Sequence, residues 1–180
     1  MNFKPLSIPE VVLIEPRVFG DDRGFFMESW NKQLFSDHGI AADFVQDNHS
    51  LSARGILRGL HYQVQHTQGK LVRVTAGRAF DVAVDIRRSS PTFGQHVSAM
   101  LTAENKHMLW VPAGFAHGFL SLEDGTEFLY KCTDFYAPEH ERSILWNDPE
   151  LGIDWPLDGI TPQLSDKDKA GSAFAEATYL

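Results

Sequence analysis

A chain of 180 residues suffices for one folded domain with a substantial core, and 43% hydrophobic with 22% charged residues is an ordinary globular composition. The 24 Asp+Glu outweigh the 16 Lys+Arg to leave a formal charge of -8, a field that repels polyanions and argues against a nucleic-acid partner. No run approaches the ~20 apolar residues of a membrane span, the N-terminal residues lack a secretory signal pattern, and the single Cys132 excludes an intrachain disulfide, so a reducing cytoplasm is the expected location.

In chain order, Val11 to Glu15 predicts a first strand, Gly20 to Gly24 a polar turn, and Phe25 to Trp30 a second strand. Asn31 is placed to cap one short helix, Lys32 to His38, which ends at Gly39. Beyond this point helical periodicity nearly vanishes. Asp43 to Asn48 reads as extended, and Leu71 to Ala76 and Ala79 to Ile86 as strands joined at Gly77-Arg78. In the second of these, Phe80, Val82, Val84 and Ile86 alternate with Asp81, Ala83, Asp85 and Arg87, which predicts one buried face. Strands are also expected at His96 to Thr102, His107 to Val111 and Phe115 to Leu122. Asp124-Gly125 gives a hairpin signal before Glu127 to Thr133. Many short strands at regular intervals indicate an all-β sandwich or barrel. The Pro- and Asp-rich stretch from Pro138 onward reads as a C-terminal arm packed on it, so residues 1–180 are expected to form a single domain.

The most informative stretch runs from Asn48 to Phe80. It contains no Asp or Glu but holds Arg54, Arg58, Lys70, Arg73, Arg78, His49, His61 and His66. A basic island in an acidic chain points to a site for an anionic small molecule. Within it, His61 follows Arg58 and suits a general base, since an imidazole titrates near neutral pH. A carboxylate to orient its ring is absent locally but could arrive with Ser165-Asp166-Lys167-Asp168. An ordinary core histidine is the competing account. His117 stands behind the tight turn Pro112-Ala113-Gly114. Phe128, Tyr130 and Cys132 share one strand face, and either Tyr130 or Tyr136 could act as an acid opposite His61. Cys132 reads as a buried, inert thiol. Gln46, Asp47 and Asn48 suit a pyrimidine or ribose, and Arg23 and Glu28 flank an aromatic triplet near the first turn. No GxGxxG or GxxxxGK[ST] cradle occurs. The spacing His61…His66 departs from a His-x-His metal pair, so no metal is expected.

Pro112-x-Gly114-x-x-His117 resembles the second motif of cupins. Gly24-Phe25-Phe26, Gln46-Asp47-Asn48, Leu57 to Gln63, Lys70-Leu71-Val72, Asp81 to Arg87, Ser90 to Gly94, Pro112 to Phe119 and Leu164 to Asp168 occur in one order. Together they resemble the dTDP-4-dehydrorhamnose 3,5-epimerase family. The resemblance implies a cupin-type jelly-roll with short flanking helices, a homodimer, a dTDP-sugar substrate and no cofactor. It implies His61 as base paired with Asp168, Tyr130 as the opposite-face acid, and Lys70 at the enolate oxygen. Arg23, Glu28, Gln46, Asn48, Arg58, His117, Glu141 and Lys167 are then substrate-binding positions, some of them reaching across the dimer. A single-centre epimerase or ketoisomerase and a non-catalytic sugar-nucleotide-binding barrel are the alternatives.

Overall fold

The computed structural model describes residues 1–179; Leu180, at the end of the expected domain, lies outside the described residues. Two antiparallel sheets face each other. The first has the order β1-β2-β10-β7-β12-β5, built from β1 (Asn2–Pro5), β2 (Val12–Glu15), β10 (Met108–Val111), β7 (Lys70–Ala76), β12 (Thr126–Cys132) and β5 (Gln46–Ser52). The second has the order β13-β6-β11-β8-β9, built from β13 (Glu141–Ser143), β6 (Leu57–Gln63), β11 (Phe115–Ser121), β8 (Arg78–Asp85) and β9 (His96–Thr102). This is the expected cupin-like sandwich. Val72, Val74, Leu109 and Phe128 of the first sheet meet Ala83, Val97, Leu101 and Phe119 of the second in the interior. The rings of Phe119 and Phe128 stack there with centroids 4.0 Å apart.

Both outer faces are also covered. Helix α1 (Lys32–Asp37), capped by the Asn31 side chain on Leu34 N, buries Phe35 beside Ile14, Leu71 and Met108. The C-terminal arm lays Leu151, Trp155 and Phe174 over Leu60, Val82, Val84 and Leu120 of the second sheet. This corrects the one-face expectation for β8: Asp81, Val82, Ala83, Val84 and Asp85 are all buried. Alternation still operates, but the arm makes the outward side a second core. Asp85 is tolerated there because Arg87, Ser90 and Thr92 donate to it. Burial alone would raise its carboxyl, and these bonds hold it far below the usual range instead.

The hairpin expected at Asp124-Gly125 does not form. The Gly77-Arg78 and Asp124-Gly125 turns both link strands in different sheets, so neither closes a hairpin. The crossings touch one another: a Cβ on Gly77 would lie 2.6 Å from Thr126 Oγ1. The stretch Phe25 to Trp30 is also shorter than expected as a strand. Only β4 (Gly24–Met27) is extended, pairing with β3 (Val18–Asp21) in an isolated hairpin with Phe25 and Phe26 exposed. The strand expected from Asp43 begins at Gln46 and continues to Ser52. No helix among the described residues is long and apolar enough to cross a membrane.

The feature that most directly places the site is a bulge between β6 and β11. Phe119 pairs with Arg58 and His117 with His61, so β6 carries one extra residue over this interval. Strict alternation would put Arg58 and His61 on opposite faces. The bulge turns both inward while Leu57 and Leu60 remain in the outer core. Gly59 and Gly118 allow the close approach, because a Cβ on Gly118 would lie 2.7 Å from Arg58 O and one on Gly59 2.6 Å from Gly118 Cα. Gly118→Ala is expected to destabilise the fold by roughly 1–3 kcal/mol through overpacking against backbone, measured as a lower midpoint in urea, whereas Gly125→Ala, where a Cβ meets nothing within 4 Å, loses only the smaller cost of its positive φ.

Candidate active site

A cavity of about 330 Å³ lies between the sheets. The second sheet contributes Arg58 and His61 from β6 and His117 from β11. The first contributes Gln46 and Asn48 from β5, Lys70 from β7 and Tyr130 from β12. Glu141 on β13 and Lys167 on α2 (Asp166–Lys169) complete the rim. Nine of the sequence-derived binding or catalytic positions thus meet in one place.

Asp168 stands behind His61. Its Oδ1 accepts from His61 Nε2 at 2.5 Å and from Gly59 N at 3.3 Å, and its Oδ2 accepts from Ser165 Oγ at 2.7 Å. Ser165 also caps α2 by accepting from Asp168 N. Burial would raise the Asp168 carboxyl, but the His61 and Ser165 hydrogen bonds outweigh it and bring the group down to about 2. An ionised carboxylate at Nε2 fixes the proton on that nitrogen and leaves the Nδ1 lone pair for proton acceptance.

A second carboxylate–imidazole pair adjoins the first. His117 and His61 are cross-strand partners, and His117 Nε2 lies 2.9 and 3.0 Å from the two oxygens of Asp81. Burial pushes the Asp81 carboxyl up, while His117 and Lys70 oppose that shift. Burial likewise pushes Lys70 down, and Cys132, Glu141 and Asp81 pull it back. Tyr130, on the opposing sheet, is pushed up to about 12, chiefly by burial, and holds its proton at neutral pH. Tyr136 instead donates to Glu141 Oε2 at 2.7 Å, and Lys167 Nζ donates to Glu141 Oε1 at 2.8 Å. Burial would raise Glu141, but these two bonds lower it.

Several readings change. Of the eight basic residues in the acid-free window, only Arg58, His61 and Lys70 line the cavity. Arg78 pairs with Glu123, His49 with Glu127 and His66 with Asp134. Linear composition could not distinguish a site from separate surface pairs. Arg23 and Glu28 lie outside the cavity: Arg23 pairs with Asp21 at the β3–β4 turn, and Glu28 accepts from Asn31. Asp81 was read only as the polar half of an alternating strand, and Gln63 and Gln68 were overlooked although both line the cavity. The sole signal for Gln63 was its place two residues after His61. Cys132 is buried, with Asn48 Nδ2 3.6 Å from its sulfur. No group of three His, Cys, Asp or Glu able to hold a metal occurs among the described residues.

The model of the dTDP-4-dehydrorhamnose 3,5-epimerase family matches residues 5–176. The chain belongs to this family. A dTDP-4-dehydrorhamnose 3,5-epimerase from Pseudomonas aeruginosa is 66% identical over 178 residues, covering 98% of each chain. Among solved structures, the dTDP-6-deoxy-D-glucose-3,5-epimerase of Legionella pneumophila in complex with dTDP-4-keto-L-rhamnose superimposes with a TM-score of 0.96 at 54% identity. It covers 98% of this chain and 94% of that one. A 3'-monoepimerase from Streptomyces bikiniensis in complex with dTDP-quinovose is more distant, with a TM-score of 0.88, 38% identity and coverage of 95% and 87%. Of these two solved structures, the chain is more similar to the 3,5-epimerase than to the 3'-monoepimerase.

Removing Asp168 leaves three donors without their acceptor in a buried position. Asp168→Ala is expected to cost roughly 3–5 kcal/mol, read from urea unfolding at pH 7. The folded-state carboxyl titrates below its unfolded value of ~3.9, so its contribution is complete above that pH and is lost as pH falls toward about 2. The difference in stability between wild type and Asp168→Asn should accordingly narrow as pH drops from 5 to 2.5. A constant difference over that range would mean the carboxylate charge is not the stabilising element.

Proposed function

We propose that the chain, as one domain, inverts C3 and C5 of dTDP-4-dehydro-6-deoxy-D-glucose to give dTDP-4-dehydro-L-rhamnose, in dTDP-L-rhamnose biosynthesis. The observation that carries the reading is the opposition of two proton-transfer groups across one cavity: His61, backed by Asp168, on one sheet and Tyr130 on the other. Inversion requires removal of a proton from one face of a carbon and return of a proton to the other. Two sheets facing each other supply those two faces without any movement of the base.

The 4-keto group acidifies both neighbouring C–H bonds. His61 Nδ1 takes the C–H proton, and the bond's electron pair moves to O4 to form an enolate. The Lys70 ammonium, which lines the same cavity, stabilises the growing charge on O4 in this reading, and in a buried site such an interaction is the largest expected contribution. Collapse of the enolate draws the proton of Tyr130 onto the opposite face of the carbon. The cycle then repeats at the second centre after both groups exchange protons with solvent. The protonated state of Tyr130 supports its role as acid, while the Tyr136 hydroxyl is already engaged by Glu141. Arg58, with Lys167 at the rim, suits the diphosphate. Gln46, Asn48, His117 and Glu141 supply polar contacts along the same cavity, and their binding to the remote nucleotide fixes the sugar for two successive transfers.

The enzyme acts as a homodimer in this reading. The β3–β4 hairpin carries Arg23 at its turn, with Glu28 just beyond it, and exposes Phe19, Phe25 and Phe26. A projecting apolar hairpin with charged residues beside it suits insertion beside the site of a second copy, where Arg23 and Glu28 would reach the nucleotide.

Incubation with dTDP-4-dehydro-6-deoxy-D-glucose in D2O, followed by NMR, is expected to place deuterium at both C3 and C5. His61→Ala should abolish incorporation. Tyr130→Phe should retain His61-dependent exchange while net inversion falls by roughly 10²–10⁴. Deuterium at one carbon alone would identify a single-centre epimerase. No incorporation, with the nucleotide sugar still bound, would leave only a binding protein. Lys70→Met is expected to lower kcat by roughly 10²–10³ with little change in KM.

A further inference from the structure

One irregular segment of the cavity wall, residues 134–137, has its backbone held chiefly by glutamine side chains. It connects β12 to the short 3-10 turn Pro138–His140 and has no strand partner. Its two aromatic side chains do not anchor it, because Phe135 is 63% exposed and Tyr136 50% exposed. The backbone carries the load instead. Gln68 Nε2 donates to Asp134 O at 2.9 Å. Gln46 Oε1 accepts from Tyr136 N at 2.9 Å. Gln63 makes the largest contribution: its Nε2 donates to Phe135 O at 3.2 Å and to His66 O at 2.6 Å, and its Oε1 accepts from Ala137 N at 2.9 Å.

We infer that Gln63, assisted by Gln46 and Gln68, is a positioning residue that sets the affinity of the cavity for a nucleoside diphosphate by fixing the 134–137 segment. This rests on the nucleotide-sugar reading above. The chemistry at position 63 admits an amide and little else. Two donors meet two carbonyls and one acceptor meets one N–H, so the side chain's orientation is determined and its donors are fully used. Gln63 is 5% exposed, so its amide is committed to these backbone partners and not to bulk solvent. A glutamate there would have the same shape but would set a carboxylate against the carbonyls of His66 and Phe135. A leucine would leave three backbone groups, His66 O, Phe135 O and Ala137 N, without this partner.

The consequence falls on binding and not on the proton transfers. His61, Lys70 and Tyr130 are carried by β6, β7 and β12, whose ladder bonds do not depend on this segment. What the segment carries is Tyr136, whose ring lines the cavity and whose hydroxyl meets Glu141. Glu141 is itself the direct cross-strand partner of Gln63. Losing the glutamine therefore frees the backbone on either side of Tyr136, at Phe135 O and Ala137 N.

The test compares wild type, Gln63→Glu and Gln63→Leu in steady-state epimerisation and in calorimetric titration with dTDP. Both variants are expected to raise KM and the dTDP Kd by roughly tenfold or more, with kcat at saturation within about twofold, the pattern of lost uniform binding. Gln63→Glu keeps the volume, so a merely space-filling glutamine would leave its KM and Kd unchanged, and that result would overturn the inference. So would a fall in kcat without a change in KM. Should either variant fail to fold, Gln68→Leu removes a single bond to the same segment and should raise KM and Kd several-fold in the same direction; no change there also overturns it. A wild-type protein that neither binds dTDP nor turns over the sugar would instead refute the functional reading itself.

Discussion

The contact between Asp168 and His61 is the constraint on which the rest depends. It joins residues more than a hundred positions apart, from a four-residue helix in the C-terminal arm to the middle of β6. A buried carboxylate is costly unless several donors meet it, and here an imidazole, a serine hydroxyl and a backbone N–H do so. Satisfying that carboxylate requires the arm to be docked. The same arm closes the outer core of the second sheet through Trp155 and Phe174. Docking of the arm and pairing of His61 with its carboxylate are therefore one event.

Buried charge in this molecule follows a consistent rule. Asp85, Asp168 and Asp81 lie inside the fold, and each has named partners. The Asp85 cluster with Arg87, Ser90 and Thr92 is remote from the cavity lining and locks the β8 exit. Asp81 and Asp168 instead each hold a histidine at the cavity. Hydrogen bonding dominates at Asp85 and Asp168 and keeps both ionised, whereas desolvation dominates at Asp81 and Lys70 and draws each toward its neutral form. Whether a buried acid stays ionised thus follows from the number of donors around it, a property invisible in its spacing.

The two-sheet architecture also sets His61 and Tyr130 on opposite walls of the cavity. They reside on separate sheets, so their separation is set by sandwich packing, including the Phe119–Phe128 stack beside the cavity. The bulge in β6 and the Gly59–Gly118 contact then decide which side chains of that strand face inward. A glycine in either position is a requirement of backbone proximity.

The sequence by itself determined the strand-rich class, the capped helix at Asn31, the C-terminal arm and, through eight ordered motifs, the family. Those features depend on side-chain period, capping groups and motif order, all of which are local. It also presented His61, Lys70, Tyr130 and Asp168 together as candidates by resemblance. Only the tertiary structure decided that Gly77-Arg78 and Asp124-Gly125 cross between sheets, that both faces of β8 are buried, and that most of the basic window lies outside the cavity. The same is true of Asp81 behind His117 and of the glutamine grip on residues 134–137. Each of these rests on contacts between segments distant in the chain, and a turn dipeptide, an alternating strand or a run of basic residues is compatible with several such arrangements until packing selects one.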